Sequence, residues 1–154
     1  MNKKSVLLDT SFFIRFLDED DPLSGKAEQY FHYFLMNDIN MQISTISIAE
    51  YLVRGHMDEL PLKYLDVIPF GLKHAKKAGE LAKCVFEHRN KLKLTSRNII
   101  PNDTKLFAQA DIEDNISYYI SSDAESHKIF NLLREYRPLT FQFIELSMQS
   151  SLLV

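Results

Sequence analysis

Cysteine occurs once, at Cys84, so no internal disulfide can form and a reducing, cytosolic setting is expected. Within its helical pattern that thiol reads as a small packed group rather than a nucleophile. Long hydrophobic runs are also lacking: no stretch approaches the ~18 apolar residues of a membrane span. The run that follows Met1-Asn2-Lys3-Lys4 is broken at Asp9, too soon for a signal peptide. A basic excess is missing too, since the net charge is -3, whereas nucleic-acid binders more often carry strong positive charge. That balance does not exclude one, because a carboxylate-lined site lowers the formal charge while basic residues elsewhere meet phosphate. Glycine, proline and serine are nowhere gathered into a linker, and there is no repeat or low-complexity segment. His32, His56, His74, His88 and His127 show no paired ligand spacing and read as structural or surface residues. What remains is one domain spanning residues 1–154, long enough to bury about 70% of its unfolded surface.

What is present is a recurring junction in which an apolar run meets an acid and a helical pattern. Val6-Leu7-Leu8-Asp9-Thr10-Ser11 reads as a central strand, an acid at its carboxyl end, and two helix starters followed by Phe12, Phe13, Phe16 and Leu17. Asp18-Glu19-Asp20-Asp21-Pro22 breaks the pattern as a solvated loop, with Pro22 expected at the first position of a helix whose stripe is Leu23, Ala27, Tyr30, Phe31, Phe34 and Leu35. A strand over Gln42 to Ile46 leads into Ser47-Ile48-Ala49-Glu50. There Glu50 falls on the apolar stripe Ile46, Ala49, Val53 and Met57, although this window alone favours a capping box with Ser47. Leu65 to Phe70 is a third strand, placed at an edge by Pro69. The helix after it, from about Lys73 to Arg89, is expected to bury Ala75, Ala78, Ala82, Val85 and Phe86.

Asn102-Asp103-Thr104 opens a helix with Leu106, Phe107 and Ala110 inward, and Asp103 serves either as its N-cap or as a member of the buried face. Ile116 to Ser121 is a fourth strand, followed by Ser122-Asp123-Ala124-Glu125, a second capping-box match that leaves Asp123 unexplained. The helix beyond carries Ile129, Leu132, Leu133 and Tyr136 inward. Leu139, Phe141 and Phe143 alternate with Thr140 and Gln142 as an edge strand. Between these elements His88-Arg89-Asn90-Lys91-Leu92-Lys93-Leu94-Thr95-Ser96-Arg97-Asn98 is basic with no acid. Lys91, Lys93 and Arg97, with Lys105, are therefore the candidates for contact with a phosphate backbone.

Alternation of strand and helix predicts a three-layer α/β/α architecture around a mostly parallel sheet of four to five strands, with all strand carboxyl ends along one edge. Asp9, Glu50, Asp103 and Asp123 gather there. Two carboxylates about 4 Å apart repel by roughly 4 kcal/mol at an effective dielectric of about 20, more than helix N-termini relieve. A divalent cation supplies the balance, and an all-oxygen set without paired His or Cys favours Mg²⁺ or Mn²⁺ over Zn²⁺.

Four segments, in order over nearly the whole chain, resemble the PIN-domain nucleases and within them the VapC-like toxins: Val6-Leu7-Leu8-Asp9-Thr10-Ser11, Ile48-Ala49-Glu50, Asn102-Asp103 with Leu106-Phe107-Ala108-Gln109-Ala110, and Tyr119-Ile120-Ser121-Ser122-Asp123. The resemblance implies a divalent-metal-dependent endoribonuclease, a homodimer and an antitoxin partner that blocks the site. It assigns Asp9, Glu50, Asp103 and Asp123 to the acidic metal positions, and Ser11 and Ser121 to the hydroxyls that hydrogen-bond them. The sequence departs from the family at Asn115, where a glycine is common, and at Ser122, where many relatives are basic. The alternative is a PIN-like module that binds RNA or protein without cutting. A haloacid-dehalogenase-type phosphotransferase is disfavoured because the second acid it requires is replaced by Ser11.

Overall fold

The structure is a computed structural model, and it describes residues 3–93 and 99–153. The alternation in the sequence becomes β1 (Ser5–Leu8), α1 (Thr10–Phe16), α2 (Ser24–Met36), β2 (Asn40–Ser44), α3 (Thr45–Tyr51), β3 (Leu65–Ile68), α4 (Leu72–Glu87), α5 (Ile99–Ile112), β4 (Ile116–Ser121), α6 (Ala124–Tyr136) and β5 (Gln142–Glu145). The strands form one sheet in the order β3-β2-β1-β4-β5 with every pairing parallel. The three-layer expectation is met, with five strands.

β1 shows why the sheet must be covered twice. Val6 and Leu8 enter one core with Phe12, Phe13, Tyr30 and Phe34 from α1 and α2, while Leu7 enters the other with Leu81, Phe107, Tyr119 and Phe130, beneath α4, α5 and α6. Val6, Leu7 and Leu8 have no exposed surface, which is the pattern of a central parallel strand. Chain order reverses direction between β1 and β4, so the loops leaving these neighbouring strands part to opposite faces and open a crevice at their carboxyl ends. Asp9 follows β1 and Asp123 follows β4.

Several boundaries differ from the sequence expectation. Asp21 accepts from the Leu23 amide at 2.8 Å and pairs with Arg15 at 2.7 Å; this turn keeps Pro22 outside α2, which starts at Ser24. β2 ends at Ser44, whose hydroxyl caps α3. α3 stops at Tyr51, so Val53 and Met57 lie beyond the helix and are exposed rather than part of a buried stripe. α4 packs the row His74, Ala78, Leu81 and Val85 against the core, and Phe86 is 63% exposed; the inward face is rotated from the expected row of alanines toward the bulkier Leu81. Leu35 and Tyr136 are also exposed at the ends of their helices. β5 begins only at Gln142, with Leu139 and Phe141 packing ahead of it. Among the described residues no helix is long and apolar enough to cross a membrane. Arg97 lies outside the described residues.

Candidate functional site

Each acid has a local reason for its position. Asp9 caps α1: its Oδ1 accepts from the Phe12 amide at 3.1 Å and from the Ser11 hydroxyl at 2.5 Å. Asp123 caps α6 in the same way, Oδ1 accepting from the amides of Glu125 at 2.9 Å and Ser126 at 3.4 Å. Capping and clustering are therefore compatible, because each cap uses one oxygen. The second oxygen of Asp9 faces the Tyr119 hydroxyl at 3.4 Å, and that of Asp123 has no partner among the described residues.

Glu50 and Asp103 do not cap anything. The capping box with Ser47 is not formed: Ser44 is the N-cap of α3 and the buried Ser47 hydroxyl has no partner among the described residues. Glu50 instead accepts from Thr10 Oγ1 at 3.1 Å, across from α3 to α1. α5 starts at Ile99, so Asp103 stands inside the helix rather than at its cap. It is 7% exposed, and its Oδ2 is buried with no hydrogen-bond partner among the described residues.

Two hydroxyls tie the β1 and β4 junctions together. Ser11 Oγ, which donates to Asp9, accepts from the Ser122 amide at 2.8 Å and lies 3.2 Å from Ser121 Oγ, which accepts from the Asp123 amide at 3.0 Å. The crevice between the reversing strands is thus pinned by serines.

The electrostatics follow from burial and like charge. Burial pushes Asp9 up to about 6, against the hydrogen bonds of Ser11, Ser121 and Phe12, with Glu50 adding to the rise. Asp103 is pushed up to about 8, by burial first and then by Asp9, Asp123 and Glu50, with Ser126 tempering the shift. Glu50 is raised by burial and held down by Thr10 and Lys105. Asp103 therefore senses all three of the other acids, which the topology has brought to one crevice. Among the described residues no three acidic, histidine or cysteine side chains converge as a ready ligand set; like-charged carboxylates hold apart. The donor chemistry nevertheless suits a hard cation: oxygen ligands only, and a buried carboxylate oxygen with no partner among the described residues.

Sequence reasoning missed Thr10 and Tyr119 as partners of the acids, taking the first for a helix starter and the second for strand packing. Their signal was adjacency to Asp9 and alternation along β4, neither of which names a partner. Arg15 was missed as well: its Nε donates to Ser122 Oγ at 3.4 Å, bringing a cation to the loop where the family resemblance places a basic side chain. Lys105 stands near Glu50, whereas Lys91 and Lys93 lie beside α6. His74 and His127 pair with Glu113 and Glu145 at 2.9 and 3.1 Å; the second pair lies one helical turn past Asp123 and in register with Ser121 at the end of β4.

No family model matches the sequence, and no curated protein matches it. Solved structures do match the fold. A chain of VapBC2 from Rickettsia felis, bound to a DNA fragment from its promoter, superposes with a TM-score of 0.61 at 15% identity, covering 90% of this chain and 98% of that one. VapBC-1 from nontypeable Haemophilus influenzae gives 0.58 at 14% identity, covering 94% and 99%. VapC20 of Mycobacterium tuberculosis, a sarcin-ricin loop cleaving toxin, gives 0.54 at 15% identity, covering 80% and 93%. The fold is the PIN-like three-layer α/β/α arrangement of VapC-type proteins.

Proposed function

We propose that the chain, as one domain over residues 1–154, is a divalent-metal-dependent endoribonuclease that hydrolyses RNA phosphodiesters. The observation that carries this reading is the buried Oδ2 of Asp103, without a hydrogen-bond partner among the described residues, amid three further acids at the sheet's switch point. A fold with no cationic ligand to bind has no reason to bear that repulsion. Asp9, Glu50, Asp103 and Asp123 would hold Mg²⁺ or Mn²⁺. Such an ion acidifies water and stabilises the oxygens entering and leaving an in-line displacement at phosphorus.

The chain's own residues supply positioning. Ser11, the Phe12 amide and Tyr119 fix the Asp9 carboxylate, Thr10 fixes Glu50, and the α6 amides fix Asp123. Lys105 places a positive charge by Glu50, where it opposes charge on an incoming phosphate. No side chain serves as a covalent nucleophile.

Three of the solved structures matching this fold are VapBC complexes, which supports the toxin role in a toxin-antitoxin pair and a blocking protein partner. Exposed Ile14 and Val53 in the Glu50 cleft offer apolar surface to such a partner or to the second copy of a homodimer. The single cysteine and the absence of an apolar span are consistent with action in the cytoplasm.

The test is cleavage of a labelled structured RNA and a matched DNA with Mg²⁺, Mn²⁺ or chelator, beside Asp9→Asn. RNA cutting that requires metal and disappears in the variant supports the reading. A protein that neither cuts RNA nor is stabilised by either ion is a non-cleaving binding module instead.

A further inference from the structure

Two clefts meet along the exposed side of α6. One, of about 410 Å³, is lined by His127, Phe130, Asn131 and Arg134 together with the approach to β5 and its first residues. The other, of about 230 Å³, is lined by Lys91, Lys93, Lys128, Asn131 and Glu135. Asn131 belongs to both and its amide has no partner among the described residues. Cations outnumber acids four to one over the two linings, in a chain whose net charge is -3. The single acid, Glu135, is already paired with Lys91 at 3.7 Å. Arg134 lies over the Phe130 ring at 5.6 Å and has no ion pair among the described residues. His127 stacks flat on Phe143 with ring centroids 4.6 Å apart. A cationic groove with few acids is what tracks a single-stranded nucleic-acid backbone.

The geometry connects this groove to the acids. Asp123 caps α6, and at 1.5 Å per residue Arg134 lies roughly 16 Å farther along the axis. At ~3.4 Å per stacked nucleotide that length spans about five nucleotides. The other cleft beside the acids, about 640 Å³, places Asp18, Glu50 and Glu59 against Arg54 alone, and an acid excess repels a phosphate backbone. We propose that the unpaired RNA strand leaving the cleavage site is held along α6, its phosphates met by Lys128 and Lys93 on one side and Arg134 on the other. This rests on the nuclease reading and names where its substrate lies.

The test measures anisotropy of a labelled single-stranded RNA of about a dozen nucleotides against salt, using Asp9→Asn protein so that no cutting intervenes, with and without Lys128→Gln and Arg134→Gln. Both side chains are exposed, and an unchanged melting-temperature rise on adding Mn²⁺ to the otherwise unmutated double variant verifies that fold and acids are intact. The expected result is at least tenfold weaker binding in the double variant, with the slope of log affinity against log salt reduced by about 1.4, the value for two single-strand phosphate contacts. Equal affinity and slope, in a parent protein that cuts RNA with Mn²⁺, overturn the groove and leave the nuclease standing. Displacement of the RNA by polyglutamate at equal affinity marks a protein-docking surface and also overturns it. A parent that neither binds nor cuts RNA removes both proposals.

Discussion

Thr10 Oγ1 lies 3.1 Å from Glu50 Oε1, joining the residue after Asp9 at the start of α1 to an acid on α3. The same hydroxyl is 3.4 Å from the Ser47 carbonyl, so its one proton is directed by the more strongly accepting carboxylate. Thr10→Val keeps the shape and removes the donor. A half-buried hydrogen bond to a charged acceptor is worth about 1.5 kcal/mol, which for a chain of this size lowers the melting temperature by about 3–6 °C. Misplacing one carboxylate costs cleavage roughly ten- to a hundredfold, and Thr10→Ser restores most of it. Rates and thermal melts of the two variants decide the matter; a Thr10→Val protein cutting at the parent rate removes Thr10 from the site.

The pH dependence of metal-free stability follows from Asp9 and Asp103. In the folded chain these carboxyls titrate near about 6 and about 8, against 3.8 for an unperturbed aspartate. Between those limits the folded protein binds more protons than the unfolded chain, so stability present at low pH is lost as pH rises. Melting temperature in chelator is therefore expected to fall from about pH 4 to pH 8. Asp103→Asn removes the more strongly perturbed group: it flattens that fall and raises the melting temperature in chelator at the alkaline end, while abolishing cleavage. Saturating Mn²⁺ is expected to offset the loss in the parent and not in the variant. A parent melting curve that strengthens with pH in chelator contradicts the burial of these acids.

How much of this was readable in advance depends on the kind of contact involved. The alternation of strand and helix, the central character of Val6-Leu7-Leu8 and the end of β4 at Ser121 were legible because periodicity is written locally. So was the nearness of the four acids to one another, since a parallel sheet sends every strand's carboxyl end to one edge. The capping alternatives could not be resolved locally. Asp9 and Asp123 turn out to cap and cluster at once, whereas Glu50 is claimed by Thr10, forty residues away in sequence. For Asp103 the buried-face alternative holds and the cap does not, because α5 begins four residues earlier, at Ile99, with Pro101 inside its first turn. The α4 face shifted for a similar reason: small alanines satisfy a helical stripe, but the larger Leu81 and Val85 decide which side the core accepts. Lys91 and Lys93 were recognisable as basic, yet their neighbours Lys128 and Arg134 come from a helix that only the fold brings alongside.

Tyr119 yields the sharpest test of how the acids are tuned. Its ring is fully buried on β4 and its hydroxyl faces Asp9 Oδ2 at 3.4 Å, while burial and the neighbouring acids hold its own ionisation well above the ordinary tyrosine value. It therefore remains a neutral donor across the pH 6 to 8 range in which the test is made. A donor aimed at a carboxylate favours the ionised form, so Tyr119→Phe should raise the Asp9 pKa. For a long bond the change is about half a unit to one unit, or roughly 1 kcal/mol. Protons and metal compete for the same oxygen, so the expected signature is a several-fold loss of apparent Mn²⁺ affinity near pH 6 that disappears near pH 8, with the acid limb of the cleavage profile moved upward. A ring acting only in packing gives an equal change at both pH values, because the hydrophobic contacts with Phe107 and Phe143 carry no proton dependence. Metal titration of Tyr119→Phe at the two pH values separates tuning from packing.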